Sequence, residues 1–186
     1  MSRTLIISAS YVKQFSGVSA SLDDELIRPV IDLAQHQHIL PLLGGGLYDK
    51  VIADIDASSL AGDYATLVNT YVAPALVQWT LAEGLSDWTY RILGGAVGIR
   101  QSDNASQATN IEQLQDTARA RARRYSLRCM DYVCREASKY PEYGTEGAVN
   151  GLLLPTTMQD YTTGGLEIGT RRHHRELKRW QWDRRR

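Results

Sequence analysis

Between Ile111 and Tyr140 the chain runs thirty residues without a proline or a glycine, and Pro141 closes the run. Leu114, Ala118, Ala122, Tyr125, Cys129, Tyr132, Val133 and Ala137 recur along it at helical steps, which predicts one long helix with these residues as its inner stripe. Arg119, Arg121, Arg123, Arg124, Arg128 and Arg135 occupy the rest of the surface. A helix striped on one side buries that stripe only against other elements, so it constrains the whole chain to helix packing.

A second long pattern spans Tyr64 to Leu93. Its stripe is Tyr64, Leu67, Val68, Tyr71, Val72, Ala75, Leu76, Trp79, Ala82, Leu85, Trp88 and Ile92, and Pro74 is expected to kink it. Earlier still, Leu26, Val30, Leu33, Ala34 and Gln37 define a helical face over 22–38, although Pro29 leaves open whether that helix starts near Arg28 or bends there. Pro41 and Gly44-Gly45-Gly46 then predict a sharp corner over 40–46 carrying Leu42 and Leu43, followed by a helix with Leu47, Val51, Ile52 and Ile55 inward. A short helix capped by Ser8 is expected to end at Gly17, with Val12 and Phe15 inward and Tyr11 alongside. Ser19 to Asp23 offers caps for the next helix, and Asp23, Asp24 and Glu25 suit its positive end. Residues 56–63 read as a loop, 94–100 as a turn, and 102–110 as a polar loop with Thr109 or Asn110 capping the long helix. The expected fold is mainly α: a compact bundle of about four to five helices, two of them long, over residues 1–143, with an extended C-terminal arm over 144–186.

The net charge is zero, yet the charges are segregated. Residues 171–186 hold eight Arg or Lys against two acids, and the remaining chain carries 13 basic and 19 acidic residues. The arm also bears Trp180 and Trp182. Aromatic and arginine side chains are strong interface anchors, so Arg171, Arg172, Arg175, Lys178, Arg179, Trp180, Trp182 and Arg184 are the candidate partner-binding residues. Arg119, Arg123, Arg124 and Arg128 are candidates for a subunit interface.

No window approaches ~18 consecutive apolar residues, and the N-terminus lacks a secretory signal pattern, so a cytosolic chain is expected. Cys129 and Cys134 fall on different helical faces and read as buried free thiols. His36 and His38 point to different sides of a helix, and His173-His174 has no cysteines nearby, so no metal site or cofactor is expected. The glycines at 44–46 and 94–98 lack the strand context and lysine of a phosphate loop, and no nucleophile motif occurs. An enzyme is not expected.

The segments ISASYVKQFSG, LDDELIRPVIDLAQ, ILPLLGGGLYDKV, YVAPAL and YPEY, in that order from Ile7 to Tyr143, resemble head–tail connector proteins of tailed bacteriophages. The likeness is to the adaptor or head-completion family of Bacteroides-type and crAss-like phages. It implies a mainly helical virion protein, assembled in the host cytoplasm. Such a protein forms a ring, usually dodecameric, that docks on the portal protein at the neck, meets the next tail or neck protein, leaves a channel for genomic DNA and catalyses nothing. C-terminal segments in this family often grip the portal, which would give the basic arm its role. This chain departs from the pattern with His38 in place of an aromatic, three glycines at the corner, and a longer, more basic tail. A different class of function, nucleic-acid binding or packaging through the Arg-rich helix and the tail, fits the same basic residues.

Overall fold

The computed structural model describes residues 3–92, 105–145 and 155. The chain divides into two units, Met1–Thr156 and Thr157–Arg186, and every described residue belongs to the first. All of the candidate residues from Arg171 to Arg184, and most of the arm, lie outside the described residues.

The fold is mainly α-helical, and among the described residues there is no strand. Helix α1 (Ala9–Ser16) opens on Ser8, whose side chain accepts from the Tyr11 N–H, and Gly17 ends it. Helix α2 (Asp24–Ala34) is capped by Asp23, which accepts from the Glu25 N–H, so the helix starts well before Pro29 and runs through it. Gln35–Ile39 forms a π-helical turn that leads without a break into α3 (Leu40–Leu43). After Gly44, α4 runs Gly45–Asp56. Helix α5 (Gly62–Thr66), a second π-helical stretch (Leu67–Val72) and α6 (Ala73–Ile92) form one continuous rod. Helix α7 spans Ala105–Arg135, and a 3₁₀ turn, Ala137–Lys139, precedes Pro141.

The two π stretches share a cause. Each ends two residues before a proline, Pro41 in one case and Pro74 in the other, and each closes with an N–H reaching five residues back: Leu40 to Gln35 and Ala73 to Val68. A proline inside an α-helix has no N–H to offer and its ring meets the carbonyl four residues earlier. Widening the preceding turn by one residue makes room for the ring and lets the helix continue. The expected corner at 40–46 therefore shrinks to one residue: Pro41 is absorbed and only Gly44 breaks the helix. Gly44 has φ 76° and ψ 164°, a region that in practice only glycine occupies.

Helix α6 is the axis of the bundle, packed against α1, α2, both π stretches and α7. Val72, Ala73, Ala75, Leu76, Val77, Trp79, Thr80 and Ala82 are all buried, as expected of a helix covered on most sides. One expected stripe is rotated. In α2 the buried residues are Ile27, Val30, Ile31 and Ala34, with Gln35 following in the π turn, whereas Leu33 and Gln37 face outward. Along α7 Ala118, Ala122, Cys129, Tyr132 and Val133 are buried as expected and Ser126 and Met130 join them, while Leu114, Tyr125 and, beyond the helix end, Ala137 are exposed. Helix α7 also begins at Ala105, inside the stretch read as a loop. The loop at 56–63 is present between α4 and α5, and the turn at 94–100 lies outside the described residues.

Candidate functional site

Two places gather the polar and aromatic side chains of this fold: the joint where the chain leaves α7, and the outer surface of α7 itself. At the joint, residues 140–145 fold back as a series of turns onto the corner around Gly46. The Gly46 N–H donates to the Thr145 carbonyl at 3.3 Å, and Thr145 Oγ1 donates to the Glu142 carbonyl at 2.7 Å. The approach is so close that a Cβ on Gly46 would lie 2.7 Å from the Glu142 carbonyl oxygen and collide with the Thr145 hydroxyl. Two of the three glycines at the corner thus have distinct reasons, Gly44 for its backbone angles and Gly46 for the contact.

Tyrosines extend this joint into the bundle. Tyr64 Oη donates to Glu142 Oε2 at 2.7 Å, and burial together with that carboxylate pushes the phenol up to about 12. Tyr140, almost fully buried, lies within hydrogen-bond reach of the Asp63 carbonyl at 3.0 Å and of Tyr132 Oη at 3.2 Å. With a single proton, its hydroxyl donates to the carbonyl and accepts from Tyr132. Ring contacts continue the chain: Tyr64 meets Tyr140 edge-on at 5.5 Å, Tyr140 meets Tyr132 at 6.1 Å, and Tyr132 stacks on Tyr71 at 4.0 Å. A cation caps each end, Lys50 at 5.5 Å from the Tyr64 ring and Arg128 at 5.3 Å from the Tyr71 ring. Each ring pair contributes about 0.5–1.5 kcal/mol beyond its buried area, so the ladder rigidly fixes α7 and the turns that follow against α5 and the second π stretch.

On α7 the expected interface arginines separate. At about 100° per residue, Leu114, Arg121, Tyr125 and Arg128 fall within an arc of about 60°, and Arg124 stands at its edge. Arg119 and Arg123 lie across the buried line from them, and Arg119 pairs with Asp116 at 3.3 Å. Arg128 is held over Tyr71. Arg121 and Arg124 are exposed and make no ion pair among the described residues.

In the sequence His38 stands out as a departure and, with His36, as an unconvincing ligand pair; its setting in the fold is specific. Its ring stacks on Trp79 at 3.6 Å, its Nε2 lies 3.1 Å from Glu83 Oε1, and the Trp79 indole N–H donates to Ser126 Oγ on α7 at 3.0 Å. Burial holds the His38 pKa below its ordinary value against the opposing pull of Glu83, and the Arg119 charge adds to the lowering. His36 points elsewhere, with Nδ1 2.9 Å from the Asp32 carbonyl oxygen. Among the described residues no three His, Cys, Asp or Glu side chains are placed to hold a metal ion. Cys129 is buried, which pushes its thiol up to about 12, whereas Cys134 is exposed, contrary to the expectation that both are buried. Cys134 Sγ sits 3.8 Å from the Tyr143 hydroxyl. An open groove of about 590 Å³ runs between the N-terminal segment and α2, lined in part by Leu5, Ile7, Arg28 and Pro29. Its other charges neutralise each other locally, Arg3 with Asp32 and Lys13 with Asp24.

Sequence reasoning missed the joint because its partners are distant in the chain: Gly46 with Thr145, and Tyr64 with Glu142. The usable signal was the density of tyrosine at 132, 140 and 143 beside an acid, together with a glycine run longer than a turn requires. Among the described residues no helix is long and apolar enough to cross a membrane. A family model described as a family of unknown function, DUF6712, matches residues 39–150. Neither the curated proteins nor the solved structures returned a match.

Proposed function

We propose that this chain, which belongs to the family of unknown function DUF6712, is a structural virion protein that joins a phage capsid to its tail. In this reading copies form a ring, with a dodecamer as the expected form, docked on the portal and continuous with the next neck or tail protein. Genomic DNA passes through the channel without sequence-specific binding, and no step of chemistry is catalysed. The protein assembles in the host cytoplasm and resides at the portal vertex.

The observation that carries this reading is the convergence of its recognisable segments. ILPLLGGGLYDKV supplies Gly46, YPEY supplies Tyr140 and Glu142, and these meet at one joint that fixes where the chain departs toward the basic C-terminus. A connector needs a body that fixes the point from which its attachment segment departs. Arg171, Arg172, Arg175, Lys178, Arg179, Trp180, Trp182 and Arg184 are then the portal-gripping residues. Arginine and tryptophan side chains are strong interface anchors, and a ring multiplies each weak contact. The acidic balance of residues 1–170 suits a passage through which DNA slides, since like charges discourage phosphate binding.

The alternative, a nucleic-acid-binding or packaging protein, draws on the exposed Arg121, Arg123 and Arg124 of α7 together with the tail. One deletion separates the two. Removing 171–186 from a connector abolishes co-purification with the portal and leaves weak DNA binding as it was. In a nucleic-acid binder the same deletion removes a steeply salt-dependent DNA affinity, and that result overturns the connector reading.

A further inference from the structure

We infer that the arc of α7 bearing Leu114, Arg121, Tyr125 and Arg128 docks on a second copy of this chain in a head-to-tail manner, against the acidic side formed by α1 to α6. This deepens the connector reading and rests on it for the premise that several copies assemble.

The composition of the arc favours a protein partner. Leu114 is 56% exposed and Tyr125 37% exposed, and they alternate with Arg121 and Arg128 along one line of the helix. Interfaces between proteins are enriched in aromatic residues and arginine and depleted in lysine. From Ala105 to Arg135 there are six arginines and no lysine. A surface built only for phosphates has no use for a leucine and a tyrosine between its cations, and burying them against a partner removes apolar area from water. Arg128 is already positioned by the Tyr71 ring, so little of its freedom is lost on docking.

Charge decides the partner and the polarity. Residues 3–92 hold ten acidic and five basic side chains, whereas residues 105–135 hold six basic and three acidic ones. Two α7 arcs facing each other across a two-fold axis would set arginine against arginine, which is repulsive. The same arc against α1 to α6 of another copy sets positive against negative. The exposed apolar residues are divided in the same way: among the described residues, the large ones are Phe15 and Leu33 on the acidic side and Leu114 and Tyr125 on α7. Two different surfaces in contact make a heterologous interface, and such an interface propagates around a ring or along a filament instead of stopping at a dimer.

The test places a photo-crosslinking p-benzoylphenylalanine at position 125 of the full chain and mixes isotopically light and heavy protein before irradiation. Crosslinks joining light to heavy copies, running from position 125 into residues 3–92, are expected. Combining the substitution with Arg121→Glu and Arg124→Glu is expected to cut their yield roughly tenfold or more, the change produced by losing two complementary charges. Crosslinks from position 125 to α7 of the other copy, transfer to added DNA in place of protein, or an unchanged yield in the charge-reversed protein would each overturn the inference. Portal co-purification is measured on the same samples. A charge-reversed protein that keeps inter-copy crosslinks but loses the portal refutes this interface while leaving the connector reading intact. A protein that never self-associates and never binds the portal refutes both.

Discussion

Helices α1 to α6 and helix α7 solve opposite problems. The first six are acidic, interrupted by six glycines and three prolines from Gly17 to Gly84, and wound around α6 so that its sides are nearly all covered. Helix α7 has neither glycine nor proline, is basic, and hides one side, small at Ala118, Ala122, Ser126 and Cys129 and larger at Met130 and Tyr132. Small residues bring α7 close to α6 and leave little side-chain volume to define the contact. The tyrosine ladder supplies that definition at one end and the Trp79–Ser126 bond supplies it further along. The lesson is that the first region is held by its core, whereas the second is held by a few specific polar and aromatic contacts, with its outer surface left for other work.

That contrast breaks most readily at the joint between the two regions. Gly46→Ala pushes a methyl into the Glu142–Thr145 turn and is expected to cost about 2–3 kcal/mol, read as a lower urea midpoint of the full chain at unchanged slope. An unchanged midpoint would mean that the turn moves aside freely and that the joint contributes nothing. Tyr140→Phe comes next. It strips the buried hydroxyl that serves Asp63 and Tyr132, leaves the carbonyl of Asp63 without its donor, and is expected to cost about 1–2 kcal/mol by the same measurement.

A smaller effect sharpens the comparison from the other side. Arg121→Glu with Arg124→Glu is expected to shift the stability of the isolated chain by no more than about 0.5 kcal/mol, since both side chains are exposed and unpaired among the described residues. A large loss in thermal denaturation would show that these arginines serve the fold and not an interface. The least effect concerns His38. Its folded pKa is depressed below 6.5, so its contribution to stability is present above pH 6.5 and is lost as pH falls through the folded value. His38→Phe keeps a ring against Trp79 without a titrating group, and its melting temperature should fall less between pH 7 and pH 5 than that of the unaltered chain. Equal slopes would assign the acid sensitivity to other groups.

Helix class and many of the caps were legible in the sequence because they depend on neighbours a few residues apart. Ser8, Gly17 and Asp23 act where local rules put them, and the apolar stripe over 64–88 is nearly the buried one. The stripe of α2 is rotated from the buried face, whereas that of α7 holds at Ala118, Ala122, Cys129, Tyr132 and Val133 and fails at Leu114, Tyr125 and Ala137. In α7 periodicity ranks residues by hydrophobicity, while the close contact with α6 admits small ones, so Ser126 is buried and Leu114 is left out. Gln35 shows the same limit: it is 1% exposed because its amide serves the Ile6 N–H, the Thr4 carbonyl and the Tyr48 hydroxyl, partners that periodicity cannot foresee. The arginines of α7 were legible as a set, but only the fold divides them between two sides of the helix.

The two wide turns before Pro41 and Pro74 act on everything downstream of them. An α-helix advances about 100° with each residue, so one extra residue within a turn resets the angular phase of the helix that follows. Trp79 reaches both His38 and Ser126 only in the phase that the stretch Leu67–Val72 imposes. Deleting a single residue there would return the backbone to regular α-helix around a proline it no longer accommodates, and would swing the indole away from both partners. Length at these two points, more than side-chain identity, is what the sequence has to keep constant.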